Sequence, residues 1–167
     1  MPATLKFYLC STDIGWVGLA ISTRGLRTTT LPWPNRDEAL RKIMAMGAAE
    51  PASEADIGQL PGLIQALARG QRRGGHTTID WDGLSPFRRA VLEETMRIPF
   101  GETRSYGWLA RQVGHPRAAR AVGRVMATNP LPIIVPCHRV LAADGSLGGY
   151  GGGLPLKETL LKAEGAR

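Results

Sequence analysis

Apolar residues run or alternate from Leu5 to Cys10 and again from Trp16 to Ile21, with Asp13 and Gly15 between them. That pattern predicts a β-hairpin. A third strand is predicted over Gly25 to Leu31, closed by Pro32-Trp33-Pro34, because proline cannot donate to a sheet ladder. Asn35 stands in the capping position of a helix that begins Arg36-Asp37-Glu38. Leu60 to Ala68 predicts a second helix. The first part of the chain therefore reads as mixed α/β.

Gly70 to His76 is polar and glycine-rich and reads as a connection, which places a domain boundary between residues 77 and 78. The pair Arg72-Arg73 within it reads as exposed loop charge, with DNA contact the alternative. Beyond it, helical patterning takes over. Ser85 and Pro86 open a helix from Phe87 to about Met96, and Pro99-Phe100-Gly101 ends it. Ser105 caps a short helix over Tyr106 to Val113, Gly114-His115-Pro116 turns the chain, and a second helix runs from Arg117 to about Thr128 before Asn129-Pro130. Helix, glycine turn, helix is the outline of a helix-turn-helix. On its second helix Ala118, Val122, Val125 and Met126 share one arc and can pack inward, while Arg117, Arg120 and Arg124 lie on another. The chain closes with a helix over Lys157 to Glu164 in which Leu156, Leu160 and Leu161 can pack.

Composition narrows the class. The 167 residues are 43 % hydrophobic, which is globular rather than disordered. No apolar run is long enough to span a bilayer, and Met1 to Lys6 does not open a signal peptide, so the expected location is the cytoplasm. Cys10 and Cys137 lie far apart, and His76, His115 and His138 are scattered, so no zinc-ligand spacing appears. The net charge of +7 favours anionic partners. From Thr103 to Ala143 there is no Asp or Glu, while Arg104, Arg111, Arg117, Arg120, Arg124 and Arg139 fall inside that stretch. It is either a solvated basic face or a footprint for phosphates.

The chemistry points to Leu131-Pro132-Ile133-Ile134-Val135-Pro136-Cys137-His138-Arg139-Val140-Leu141. A lone cysteine in an apolar run is usually a small buried hydrophobe. Here Pro136 fixes the backbone before the sulfur and suits a turn, and two polar residues follow directly. A thiol beside an imidazole and a guanidinium has its thiolate favoured. A free thiol, with a pKa of about 8.5, is mostly protonated at neutral pH, so His138 is the expected base. Triad logic calls for a carboxylate to orient it, and Asp144, Glu158 and Glu164 are all available downstream. The Cys-His pair alone also fits a cysteine hydrolase. Gly148 to Gly153, dense in glycine around Tyr150, would let backbone approach a flat ligand, or form a loose hairpin tip.

Taken in order, Asn129-Pro130, Pro136 to Val140, Gly149-Tyr150-Gly151-Gly152-Gly153, Lys157-Glu158 and Glu164-Gly165 resemble the O6-alkylguanine-DNA alkyltransferases. The resemblance implies an α/β, ribonuclease-H-like N-terminal domain over 1–77 and a mainly α, winged helix-turn-helix domain over 78–167. It implies that Cys137 takes the alkyl group of O6-alkylguanine, with O4-alkylthymine a further candidate, in one irreversible step. His138 would act as base through a water, Glu164 would orient it, Tyr106 would give the departing guanine a proton, and Asn129 would brace the turn ahead of an active-site strand. Arg120 would fill the space of the flipped nucleotide, beside Arg117 and Arg124, with Ala118, Ala121, Gly123 and Ser105 close to the DNA backbone. The pocket would be formed by Met126, Tyr150, the carbonyls of Cys137 and Val140, and the Gly151 N–H. Gly151 departs from a serine common among relatives, so a hydroxyl is lost there. Docking would be in the minor groove, by a monomer open to cooperative binding along double-stranded DNA, with no metal and no cofactor. Three rivals are a lesion sensor of the same fold, which would lack the acceptor cysteine, a winged-helix regulator, and the cysteine hydrolase.

Overall fold

The computed structural model describes residues 4–72 and 77–167. Arg73 and His76, with the glycines between them, lie outside the described residues, as do Met1 to Ala3. The expectations for the connecting loop and for the Arg72-Arg73 pair therefore fall partly outside them. The chain divides into two compact units, Met1–Asp82 and Gly83–Arg167. Among the described residues no helix is long and apolar enough to cross a membrane.

The first unit is a four-stranded sheet with helices. Strands β1 (Leu5–Thr12) and β2 (Gly15–Ser22) form the predicted hairpin, and β3 (Gly25–Thr29) pairs antiparallel with β2. Trp33 still exchanges two backbone hydrogen bonds with Trp16 at 2.7 and 2.8 Å, so Pro32 interrupts the ladder without ending the pairing. Helix α1 (Arg36–Ala45) starts where Asn35 accepts from the Glu38 N–H at 3.0 Å. It packs so closely on β2 that a Cβ at Gly18 would lie 2.8 Å from that of Ile43. Two elements are absent from the sequence reading. Strand β4 (Ala48–Pro51) adds parallel to β1 and gives the order β3-β2-β1-β4. Helix α2 (Glu54–Ile57) is a single turn with a Ser53–Asp56 capping box. Helix α3 (Leu60–Ala68) follows. Val17, Leu19, Leu26, Ile43 and Ile64 are buried in this unit.

The second unit is mainly helical. Helix α4 (Pro86–Met96) is capped by Ser85, and α5 (Tyr106–Gln112) by Ser105. Helix α6 (Ala119–Ala127) is shorter than expected. His115 to Ala118 form the turn instead, so Arg117 belongs to the turn and only Arg120 and Arg124 to the helix. No side chain caps α6 at Ala118, which explains why no start signal stands in the sequence. Val122, Val125 and Met126 face inward as predicted. Helix α7 (Leu154–Ala163) closes the chain. Two short strands, β5 (Arg104–Ser105) and β6 (Val140–Leu141), pair in parallel.

Candidate active site

The segment between α6 and β6 is built to present one side chain. The Asn129 carboxamide grips it at two points: Oδ1 accepts from the Leu131 N–H at 2.9 Å, and Nδ2 donates to the Val135 carbonyl at 3.1 Å. Between them Ile133 sits at φ 75°, a left-handed conformation that costs a β-branched residue about 1–3 kcal/mol. Pro136 then forms an inverse γ-turn (φ −78°, ψ 63°), closed by the Cys137 N–H on the Val135 carbonyl at 2.7 Å. A 3₁₀ turn over Cys137–Arg139 follows, so the expected active-site strand before the cysteine is a strained turn. Arg88 on α4 donates to the Thr128 carbonyl at 3.0 Å, a contact at the C-terminal end of α6 that the sequence did not signal.

The three residues of that turn point in different directions. His138 is 2 % exposed and its Nε2 lies 2.9 Å from Glu164 Oε1. Arg139 makes a two-point contact with the same carboxylate, from Nε and one terminal nitrogen, each at 2.8 Å. Its other terminal nitrogen donates to the Ile98 carbonyl at 2.9 Å. Hydrogen bonds from His138 and Arg139, with the charge of Arg139, hold the Glu164 carboxyl down at about 2 against the opposing effect of burial. Glu164, of the three downstream acids, is therefore the partner of His138. An ionised carboxylate can only accept, so Nε2 carries the proton and Nδ1 is left as an acceptor. Nδ1 is buried and has no hydrogen-bond partner among the described residues. Burial is also the main cause that lowers the His138 pKa, with Glu164 opposing it.

Cys137 is 5 % exposed, and burial pushes its thiol up. The sequence expectation of a favoured thiolate beside His138 and Arg139 is corrected on two counts. Desolvation outweighs the rest, and both neighbours are engaged with Glu164. The groups that pull toward the thiolate are the Asn129 side chain, the charge of Lys157, the residue's own N–H and the Tyr150 hydroxyl. Among the described residues the buried Tyr150 hydroxyl meets no hydrogen-bond partner of good geometry.

A cavity of about 470 Å³ opens onto this sulfur. Tyr106, Tyr150, Gly149 and Gly151 line it with Gly123, Met126 and Ala127 of α6. Tyr106 accepts a hydrogen bond from the Gly149 backbone, which leaves its own proton free to donate. The Val140 carbonyl is engaged by Lys157 Nζ at 2.6 Å, and the Cys137 carbonyl by the Val140 N–H. Arg117, Arg120 and Arg124 are exposed; Ala118, Ala121 and Gly123 are half-buried. The Ser105 hydroxyl accepts from the Trp108 N–H at 3.0 Å as a helix cap. The second unit carries a net charge of +6 and the first +1. Among the described residues no group of His, Cys, Asp and Glu could hold a metal ion. Sequence reasoning missed Lys157, which is fully buried. Its signal was legible: Lys157, Leu160, Leu161 and Glu164 share one buried helical face.

Residues 86–166 match the family model of the 6-O-methylguanine DNA methyltransferase DNA-binding domain. The chain is 35 % identical over 154 residues to a Shigella flexneri methylated-DNA–protein-cysteine methyltransferase, covering 90 % of this chain and 88 % of that one. It is 58 % identical over 80 residues to the Mycolicibacterium paratuberculosis protein of the same name, covering 48 % of each, so the chain spans about half the length of that relative. Its fold resembles that of Mycobacterium tuberculosis OGT in complex with DNA (TM-score 0.79, 34 % identity, 96 % of this chain and 93 % of that one).

Proposed function

The chain belongs to the methylated-DNA–protein-cysteine methyltransferase family, and on that premise we propose that it repairs DNA by moving an alkyl group from guanine O6 to its own Cys137. The observation that carries this reading is the buried thiol beneath a cavity, beside an imidazole whose Nδ1 is unpartnered and whose Nε2 is fixed by Glu164.

Glu164 holds His138 in the tautomer that can accept a proton at Nδ1, through a bridging water. The sulfur lone pair then forms the S–C bond, the C–O6 bond breaks, and its electron pair passes to the guanine. Tyr106 gives the departing guanine a proton, and His138 and Tyr106 return to their starting states by exchange with solvent. The thioether is stable and no neighbouring group can cleave it, so each molecule acts once. Neither a metal nor a cofactor enters these steps.

The partner is double-stranded DNA carrying O6-alkylguanine, with O4-alkylthymine a further candidate substrate. A monomer docks α6 in the minor groove, where Ala118, Ala121 and Gly123 allow close approach and Ser105 lies at the backbone. Arg120 fills the place of the flipped nucleotide, and Arg117 and Arg124 meet phosphates. Met126, Tyr150, Gly151 and the Val140 carbonyl form the base pocket. We assign residues 1–77 to a ribonuclease-H-like domain and 78–167 to a winged helix-turn-helix domain for DNA binding and transfer, in a cytoplasmic protein.

Mixed with excess duplex containing O6-methylguanine, the protein gains one methyl mass on the peptide carrying Cys137 and then falls silent. Cys10→Ser changes nothing, since Cys10 is buried in β1 with its thiol pushed up to about 11 by desolvation. Repeated turnover, or label on Cys10, contradicts the mechanism. Tight lesion binding with no mass gain would instead establish the lesion-sensor reading.

A further inference from the structure

Arg88 is half-buried on α4, and the steps above do not use it. Its backbone N–H is fixed by the Ser85 hydroxyl at 3.2 Å. One terminal nitrogen donates to the Thr128 carbonyl at 3.0 Å and to the Thr128 hydroxyl oxygen at 3.2 Å. That hydroxyl in turn donates to the Arg124 carbonyl at 2.8 Å. The Arg88 Nε is buried and has no hydrogen-bond partner among the described residues. A surface arginine avoids that cost by turning into solvent, so this guanidinium is held toward Thr128 against it. Thr128 ends α6 in a non-helical conformation (φ −113°, ψ 25°). Its carbonyl and the Asn129 N–H belong to one planar peptide unit. On the other side of that plane the Asn129 N–H reaches the Met126 carbonyl at 3.3 Å, longer than the usual range for such bonds. Arg88 is the shorter and charged hold on the plane.

We propose that Arg88 is a positioning residue for alkyl transfer, a clamp from α4 that fixes the Thr128–Asn129 peptide plane and through it the turn carrying Cys137. This rests on Cys137 being the alkyl acceptor. The Asn129 carboxamide holds the turn at the Leu131 N–H and the Val135 carbonyl, and the Val135 carbonyl also accepts from the Cys137 N–H. Those bonds tie the turn to Asn129. They do not tie Asn129 to the helices, which is what the clamped plane does. Burial raises the Cys137 thiol, and the Asn129 side chain leads the groups that pull it back, so a displaced carboxamide acts on the sulfur itself. The cavity wall on α6, at Gly123, Met126 and Ala127, lies before the clamped plane and keeps its own helical bonds. Loss of the clamp therefore shifts the sulfur relative to the wall and leaves the wall in place.

The test separates a clamp on the sulfur from a plain helix cap. Free O6-benzylguanine is the substrate, in single turnover corrected for folded protein, so that charge lost from a DNA-binding surface does not enter. Arg88→Ala is expected to lower the maximal rate by roughly fivefold, the effect of a few tenths of an ångström when a full ångström carries about 10²-fold, with half-saturation unchanged. Arg88→Lys, whose ammonium can still donate to a carbonyl, restores part of the rate. Thr128→Ala removes the hydroxyl that caps the Arg124 carbonyl but keeps the carbonyl that Arg88 holds, so it lowers the melting temperature and leaves the rate unchanged. Hydrogen exchange at the Asn129 carboxamide, followed by NMR, quickens in Arg88→Ala and not in Thr128→Ala. A Thr128→Ala rate loss equal to that of Arg88→Ala, or Asn129 exchange that ignores Arg88, overturns the clamp. In cold spectra of the wild-type protein the two terminal nitrogens of Arg88 give separate signals, because one is held, and averaged signals overturn the clamp even where no variant folds. Wild-type protein that takes no methyl group from lesion DNA overturns the acceptor reading instead, and the NMR results then support or overturn the clamp by themselves.

Discussion

Each unit buries a carboxylate against an arginine, and the two networks end differently. Asp80 in the first unit is 5 % exposed. One oxygen accepts from Ser22 and Arg27 and the other from the Asp82 N–H, so the network closes on groups that tie β2 and β3 to the stretch that follows α3. Glu164 in the second unit is 8 % exposed. It binds Arg139 with both oxygens, but one is also used by His138, whose far nitrogen has no partner among the described residues. A buried network whose members are all satisfied stabilises a fold. One that stops at an unsatisfied imidazole nitrogen beside a thiol is prepared to move a proton. The same contrast separates the cysteines: desolvation alone acts on Cys10, whereas four groups oppose it at Cys137.

The comparison is broken or upheld most strongly by removing each carboxylate. Glu164→Ala is expected to slow transfer to Cys137 by roughly 10²-fold or more, since it frees His138, the proposed general base, from its tautomer. It also leaves Arg139 buried without its anion, at a stability cost of about 3–5 kcal/mol. Asp80→Ala should lose stability too, yet the folded fraction should transfer at the wild-type rate. Single-turnover rates corrected for folded protein decide the matter, and equal losses would erase the distinction. Acid adds a sign. The folded-state pKa of Glu164, about 2, lies below its ordinary 4.5, so its stabilisation is complete above 4.5 and is lost as pH falls toward 2. The acid limb of an unfolding curve should shrink in that window in the Glu164 variant.

A smaller effect concerns the arginine helix. Arg120→Ala should slow repair in duplex DNA by up to about 10²-fold, because unstacking a base costs a few kcal/mol that a filling side chain offsets. Reaction with free O6-benzylguanine should be unchanged. Equal losses on both substrates would assign Arg120 to the pocket rather than to the duplex.

What could be read from the chain follows how local each cause is. Asn35, Ser85 and Ser105 were legible as caps because each accepts from an N–H three residues on. Strand β4 was not, since Ala48-Ala49-Glu50-Pro51 has no alternation and is held by a partner more than forty residues earlier. Cys137 and His138 stood out as polar groups in an apolar run, but spacing could not choose Glu164 over Asp144 or Glu158. Only the fold brings α7 to the 3₁₀ turn. Arg139 was read as acting on the sulfur because sequence gives adjacency and no direction. The turn at Ile133 carries no glycine to announce its left-handed backbone.

The smallest expected effect lies at Gly148, where the cavity wall meets Tyr106. Its φ is +68°, and a Cβ there would sit 3.0 Å from the Tyr106 hydroxyl. Gly148→Ala therefore strains the backbone by about 1–2 kcal/mol and pushes Tyr106, the proposed proton donor, aside. Tyr106 also accepts from the Gly149 backbone, so it cannot move without disturbing that contact. A shift of a few tenths of an ångström should slow transfer by less than about tenfold, against the roughly 10²-fold of a full ångström. The loss should be greater for O6-benzylguanine than for O6-methylguanine, as the larger group needs more of the wall. Gly145→Ala provides the control. Its φ is +82°, but a Cβ there meets nothing within 4 Å, so it strains the chain without touching Tyr106. If both variants lose the same activity, backbone strain accounts for the effect. If Gly148→Ala alone loses it, the contact with Tyr106 does.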